Sequence, residues 1–153
     1  MRRKDKELQD SRILGIILKE ADICRIAMCH NNEPYIVPMN FCYQDDSIYL
    51  HSAREGHKIG ILRENPQVCF EIEYGTEMLP SEIACDWSMK YYSIVGWGKV
   101  EFIENTKEKE EALKLIVGKY TRASGPRFGE DMLKRLVVIK IKIGKMTGKK
   151  SGY

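Results

Sequence analysis

In the stretch "VCFEIEY" every second residue is apolar: Val68, Phe70, Ile72 and Tyr74 on one side, Cys69, Glu71 and Glu73 on the other. The same period of two runs through "PYIVPMNFCY", where Tyr35, Val37, Met39, Phe41 and Tyr43 share a face. It returns in the closing "LVVIKIKIGKMTGKK", where Val137, Ile139, Ile141 and Ile143 alternate with lysines. Successive side chains of a strand point to opposite sides, so these segments are strands with one buried and one polar face. That pattern belongs to antiparallel sheets, because strands of purely parallel sheets are covered on both faces.

The remaining segments fit around these strands. "DICRIAMC" reads as a strand, "NNEP" as a turn, and "QDDS" turns the chain back into "SIYLHS". The second strand, residues 34–43, is therefore expected to form a hairpin with "SIYLHS". "YYSIVGWGKVEFIE" is a further long strand, and "GTEMLPSEIACDWS" before it reads as an irregular excursion. Helices are expected from about Asp10 to Ala21, from His57 to near Asn65, from Asn105 onward, and around Glu130 to Arg135. Asp10 or Ser11 can cap the first, whose stripe is Ile13, Leu14, Ile17 and Leu18. Pro66 stops the second. Asn105 with Glu108 three residues later has capping-box spacing ahead of a stripe of Ala112, Leu113, Ile116, Val117 and Tyr120. About six strands and up to four helices make the chain mainly β with flanking helices. Turn-linked strands with few crossover helices favour a small closed or partly open antiparallel barrel with helices packed outside.

Length and charge narrow the function. A chain of 153 residues suits one domain spanning 1–153. A net charge of +3 is too mild to argue for nucleic acid without a clustered patch. The aromatics Tyr35, Phe41 and Tyr43 fit a core better than a stacking platform for single strands. No apolar run approaches a membrane span, and "MRRKDKELQDSR" has no apolar core behind its charges, so neither membrane nor leader is expected. The five cysteines, Cys24, Cys29, Cys42, Cys69 and Cys85, make no C-x-x-C pair, and four of them lie in strands as buried thiols would. A reducing, cytoplasmic setting follows. His30, His51 and His57 fall in no metal-ligand spacing, so no metal is expected.

No P-loop, nucleophile elbow or dinucleotide fingerprint is present, and the G-x-G of "GWGKVE" lies inside a strand. Any chemistry therefore belongs to a bound cofactor. Three features indicate where one would sit. Pro38 interrupts a strand, which marks an edge, a bulge or a ligand-facing position, with Asn40 on the same face. Gly96 and Gly98 share a strand face, which signals close approach of a backbone or ring, or a barrel corner. In "YLHSAREGHKIGILRENP" a strand ends in His51 and Ser52, turns through Gly56 and presents Lys58 where a helix begins. Either this is an ordinary strand–turn–helix with a solvated lysine, or the helix N-terminus, Ser52 and Lys58 form a phosphate cradle.

The pieces "ADICRIAMC", "PYIVPMNF", "IYLHSAREGHK", "NPQVCFE", "ACDWSMKYYSIVGWGKVEF" and "MTGKK" occur in an order that resembles the FMN-binding split-barrel proteins, the superfamily of pyridoxamine 5′-phosphate oxidase. The branch most similar includes the nitroimidazole-resistance (Nim-type) reductases. The resemblance implies an antiparallel split β-barrel of FMN-binding type, a homodimer, and FMN at the subunit interface. By match, Val37, Pro38, Met39 and Asn40 would lie along the isoalloxazine through main chain. His51 and Ser52 would lie near the ribityl and phosphate, and Lys58 would pair with the phosphate. Tyr92 and Ser93 would come from the partner subunit. Where the oxidase branch frequently carries arginine near the phosphate, this strand reads "YYSIV".

The implied activity is an FMN-dependent oxidoreductase. Reducing equivalents would pass through flavin N5 from a nicotinamide donor to a small oxidised substrate such as a nitroaromatic. His51 is the candidate proton relay, since its ordinary pKa is near neutral. The alternative is a flavin-binding carrier or sensor without turnover.

Overall fold

The computed structural model describes residues 3–121 and 126–153. In chain order its elements are β1 (Glu7–Leu8), α1 (Ser11–Glu20), β2 (Cys24–His30), β3 (Glu33–Met39), β4 (Cys42–Gln44), β5 (Ser47–Ala53), α2 (His57–Glu64), β6 (Gln67–Leu79), β7 (Ser88–Ile103), α3 (Thr106–Tyr120), α4 (Glu130–Arg135) and β8 (Leu136–Ser151). The eight strands form one antiparallel sheet in the order β3-β2-β6-β7-β8-β5-β4, with β1 added to β8. The architecture is the antiparallel split barrel with flanking helices that the alternating segments predict. Its strand ladder does not close.

The strand expected over residues 34–43 is two strands. β3 ends at Met39 and pairs with β2, Ala27 opposite Ile36. β4 begins at Cys42 and pairs with β5, Cys42 opposite Tyr49. The expected hairpin with "SIYLHS" therefore belongs to β4 alone, turned by Asp45 and Asp46, both at positive φ as a tight hairpin turn requires. β3 and β4 are the two edges of the sheet, yet only Asn40 and Phe41 lie between them. The sheet must curl until its edges meet at those two residues. Neither residue has a ladder partner.

The curl encloses a core of Ile17, Leu18, Ile26, Phe41, Ile48, Leu50, Phe70, Ile72, Ile94, Ile139 and Ile141, all buried. Burying each such side chain contributes about 1.5–3 kcal/mol. Tyr35, Val37 and Met39 are half-buried against it, so the inward face expected for β3 is present but less deep than the pattern implies. β8 is covered on both sides. Val137 and Ile139 face the barrel, while Val138 joins Leu113 of α3 and Leu133 of α4 in a second cluster.

Three expectations need correction. The excursion before β7 is shorter than expected: β6 runs on to Leu79 past a register shift after Tyr74 and β7 starts at Ser88, which leaves only residues 80–87 outside the strands. Cys29 is exposed and Cys69 half-exposed, so only Cys24 and Cys42 of the strand cysteines are buried. Gly96 and Gly98 face the barrel's own interior. A Cβ at Gly96 would enter the Phe70 ring, and one at Gly98 would lie 2.5 Å from the Lys142 carbonyl oxygen. Gly98 also sits at a register shift in the β7–β8 ladder. Close approach is thus the reason for both glycines, but of this chain's ring and backbone. They do not mark a ligand.

Candidate functional site

The crossing from β3 to β4 meets the end of β5 and the start of α2. β5 delivers His51 and Ser52 opposite Val138 and Val137 of β8. The pleat sends these neighbours to opposite faces. Ser52 continues the side of Ile48 and Leu50, and His51 takes the other. Gly56 then turns the chain at φ 123°, a backbone conformation that side chains rarely adopt. Its carbonyl accepts the amides of Ile59 and Gly60 at 3.0 and 3.1 Å, and no side chain caps the helix. The N-terminal dipole end of α2 is left to whatever faces it.

What faces it is β3. The His57 ring meets Tyr35 edge-on at 4.9 Å between centroids. Lys58 Nζ reaches Met39 Sδ at 3.7 Å. The first two residues of α2 therefore lean on the inward row of β3, four positions apart.

The electrostatics are uncompensated. Lys58 is half-buried, and burial pushes its pKa below the usual lysine value, with no carboxylate among the described residues raising it. Burial also lowers His51 below its ordinary value, and the charge on Lys58 lowers it further. An ammonium, an imidazole that feels it, and uncapped helical amides come together here. Such a site suits a phosphate or carboxylate ligand.

The other expected site residues divide. Val37 and Met39 are half-buried, Pro38 and Asn40 exposed, and all lie on the edge strand or the crossing beside Lys58. Pro38 on an edge strand costs no interior hydrogen bond, which is the edge reading of that residue. Tyr92 and Ser93 stand apart from the rest. Ser93 pairs with Lys149, whereas His51 pairs with Val138, on the order of 35 Å away along β8. Tyr92 instead stacks on Tyr153 at 3.9 Å.

The crossing holds residues that sequence reasoning did not place there. Tyr120, at the end of α3, accepts a hydrogen bond from Phe41 N at 2.9 Å. Its hydroxyl lies 2.6 Å from the Asp22 carbonyl oxygen and 3.1 Å from that of Phe41. Lys119 beside it places Nζ 3.3 Å from the centroid of the Phe41 ring. The one signal in the sequence was a tyrosine closing an apolar stripe, where its polar tip would need a partner. A cleft of about 440 Å³ opens next to them, lined by Leu18, Asp22, Cys42, Tyr43 and Lys119.

This fold, with its gapped ladder and its anion-suited corner, has clear relatives. The profile of the pyridoxamine 5′-phosphate oxidase family matches residues 12–150, and the chain belongs to that family. Among solved structures it is similar to a candidate 5-nitroimidazole antibiotic resistance protein from Bacteroides thetaiotaomicron VPI-5482. The two are 35% identical, with 94% of this chain and 86% of that one covered at a TM-score of 0.84. The FAD and heme binding protein of Mycobacterium smegmatis shares the fold, at TM-score 0.87 and 16% identity over 97% of this chain and 74% of that one. An uncharacterized protein of Rhizobium meliloti (strain 1021) is 34% identical over 56 residues, 37% of this chain. That match spans about a third of the relative's own length, 36%. No helix among the described residues is long and apolar enough to cross a membrane.

Proposed function

We propose that the protein is an FMN-dependent oxidoreductase that reduces a small oxidised compound, with nitroaromatics as the candidate substrate class and a nicotinamide as electron donor. The observation that carries the reading is Lys58: a half-buried ammonium with no carboxylate to balance it, at the uncapped start of α2 and within reach of Met39. A cofactor phosphate supplies the missing charge. The family match supports a flavin, and the relatives support it further, one named for FAD and heme binding and one for nitroimidazole resistance. The choice of FMN over FAD is part of this proposal, and a helix N-terminus with a lysine suited to a single terminal phosphate supports it.

When bound, the flavin supplies two-electron transfer at N5. The chain's own residues do the rest. Lys58 and the first amides of α2 hold the phosphate, with Ser52 beside them. Val37, Pro38, Met39 and Asn40 line the ring through edge-strand main chain, where the groups that point away from β2 can bond it and Pro38 offers only its carbonyl. His51, whose charged form burial and then Lys58 disfavour, can take up or release a proton near the ribityl side. The reading includes one unit over residues 1–153, a cytoplasmic setting and a homodimer. In that dimer Tyr92 and Ser93 of each copy complete the partner's site, a reading supported by their separation from His51 along β8.

The test is direct. Purified protein should show the two visible and near-ultraviolet flavin bands, and heat-released cofactor should run as FMN on chromatography. FAD alone, or no flavin after reconstitution with FMN, defeats the assignment. Sedimentation of the flavin-loaded protein should give a dimer at micromolar concentration; a flavin-loaded monomer removes Tyr92 and Ser93 from the site.

A further inference from the structure

We propose that Tyr120 is a positioning residue: its hydroxyl stands in for the strand partner that Asn40 and Phe41 lack, and so fixes the edge-strand main chain that faces the flavin. The inference rests on the reading that Val37–Asn40 lie along the isoalloxazine.

Between Met39 and Cys42 the chain leaves one edge of the sheet and joins the other, and no ladder hydrogen bond covers the interval. Phe41 is fully buried, so its amide and carbonyl need partners inside the protein. Tyr120 answers the amide at 2.9 Å. The hydroxyl proton is shared between the carbonyls of Asp22 at 2.6 Å and Phe41 at 3.1 Å. One hydroxyl thus joins the crossing, the link between α1 and β2, and α3. Lys119 holds the same place from the next position, bonding the Leu18 carbonyl at 3.4 Å with its charge over the Phe41 ring. The segment offered to the flavin ring is therefore held from a helix distant in sequence.

Tyr120→Phe keeps the ring and deletes the hydroxyl. The contact is on the ring side of the cofactor, so the variant should bind FMN and riboflavin about tenfold more weakly, by the same factor, and shift the visible bands of the bound flavin. Leu133→Ala, in the second core cluster, is the control for stability. It should lower Tm at least as much while leaving both affinities and the bands unchanged. Wild-type affinities and bands in Tyr120→Phe overturn the proposal. So does a loss that Leu133→Ala reproduces at matched Tm. A second measurement uses the unaltered chain: FMN should slow amide exchange at Phe41 at least tenfold relative to amides of β1, and an unchanged ratio overturns the proposal even where the variant does not fold. Wild type that binds no flavin defeats the underlying reading and this inference with it, an outcome separate from a wild type that binds while the variant is indifferent.

Discussion

Lys58 Nζ lies 3.7 Å from Met39 Sδ, so the ammonium at the start of α2 rests on a thioether and not on a carboxylate. A thioether is a weak acceptor and leaves the charge unbalanced. Lys58→Ala should therefore cost little in the apoprotein. With FMN bound it removes a charge-assisted hydrogen bond of about 1.5–3 kcal/mol. FMN affinity should fall on the order of ten- to a hundredfold, with riboflavin affinity nearly unchanged. Titration of both flavins into both apoproteins at one salt concentration checks it, and equal FMN affinity takes Lys58 out of the site.

His51 should titrate below its ordinary value of 6.5 in the apoprotein, because burial and then Lys58 oppose its charge. The sign for stability follows. Below 6.5 the unfolded chain takes up a proton that the folded chain resists, so this group's contribution is complete above 6.5 and is lost as pH falls through the folded pKa. His51→Gln should flatten that loss. In Lys58→Ala the His51 pKa should rise but stay depressed by burial. Bound FMN phosphate should raise it by opposing the Lys58 charge. Proton NMR titration of the imidazole follows all three shifts. An apoprotein pKa at or above 6.5 is the contrary result.

Gly96→Ala should destabilise the protein by about 1–3 kcal/mol, the usual cost of forcing a methyl into a packed core. The new Cβ would enter the ring of Phe70, which is fully buried and has nowhere to move. Pairing the change with Phe70→Leu should recover part of the loss. Urea unfolding of the four proteins closes the double-mutant cycle, and additive losses refute the contact.

Asn105 caps α3, its side-chain oxygen accepting the amides of Lys107 at 3.0 Å and Glu108 at 3.2 Å. Asn105→Ala should cost about 1 kcal/mol in thermal or urea unfolding. Asn105→Ser should restore most of it.

Legibility in the sequence followed the range of the forces. Asp10 and Asn105 cap helices within three residues of themselves, so both helix starts were readable locally. β6 alternates because it sits mid-sheet with one face on the core. The alternation of Tyr35, Val37, Met39, Phe41 and Tyr43 carries straight through the crossing, so no local pattern reveals that the pairing partner changes from β2 to β5 there. The site split likewise. His51, Ser52 and Lys58 are neighbours in sequence and could be read together. Tyr120 joins Phe41 through a contact between distant segments. Gly96 showed that something comes close, but not that it is Phe70.

The meeting of β3 and β4 at Asn40 and Phe41 also governs how the chain can find its shape. The seam draws taut only when both rims of the sheet are in place, and one rim hangs on β8, where Ser47 pairs with Lys142 near the far end of the sequence. Such remote pairings exact loop-closure entropy before they repay it, which puts the molecule among slow folders of high contact order. The seam at Asn40 and Phe41 is therefore expected to close late, once β8 has paired with β5.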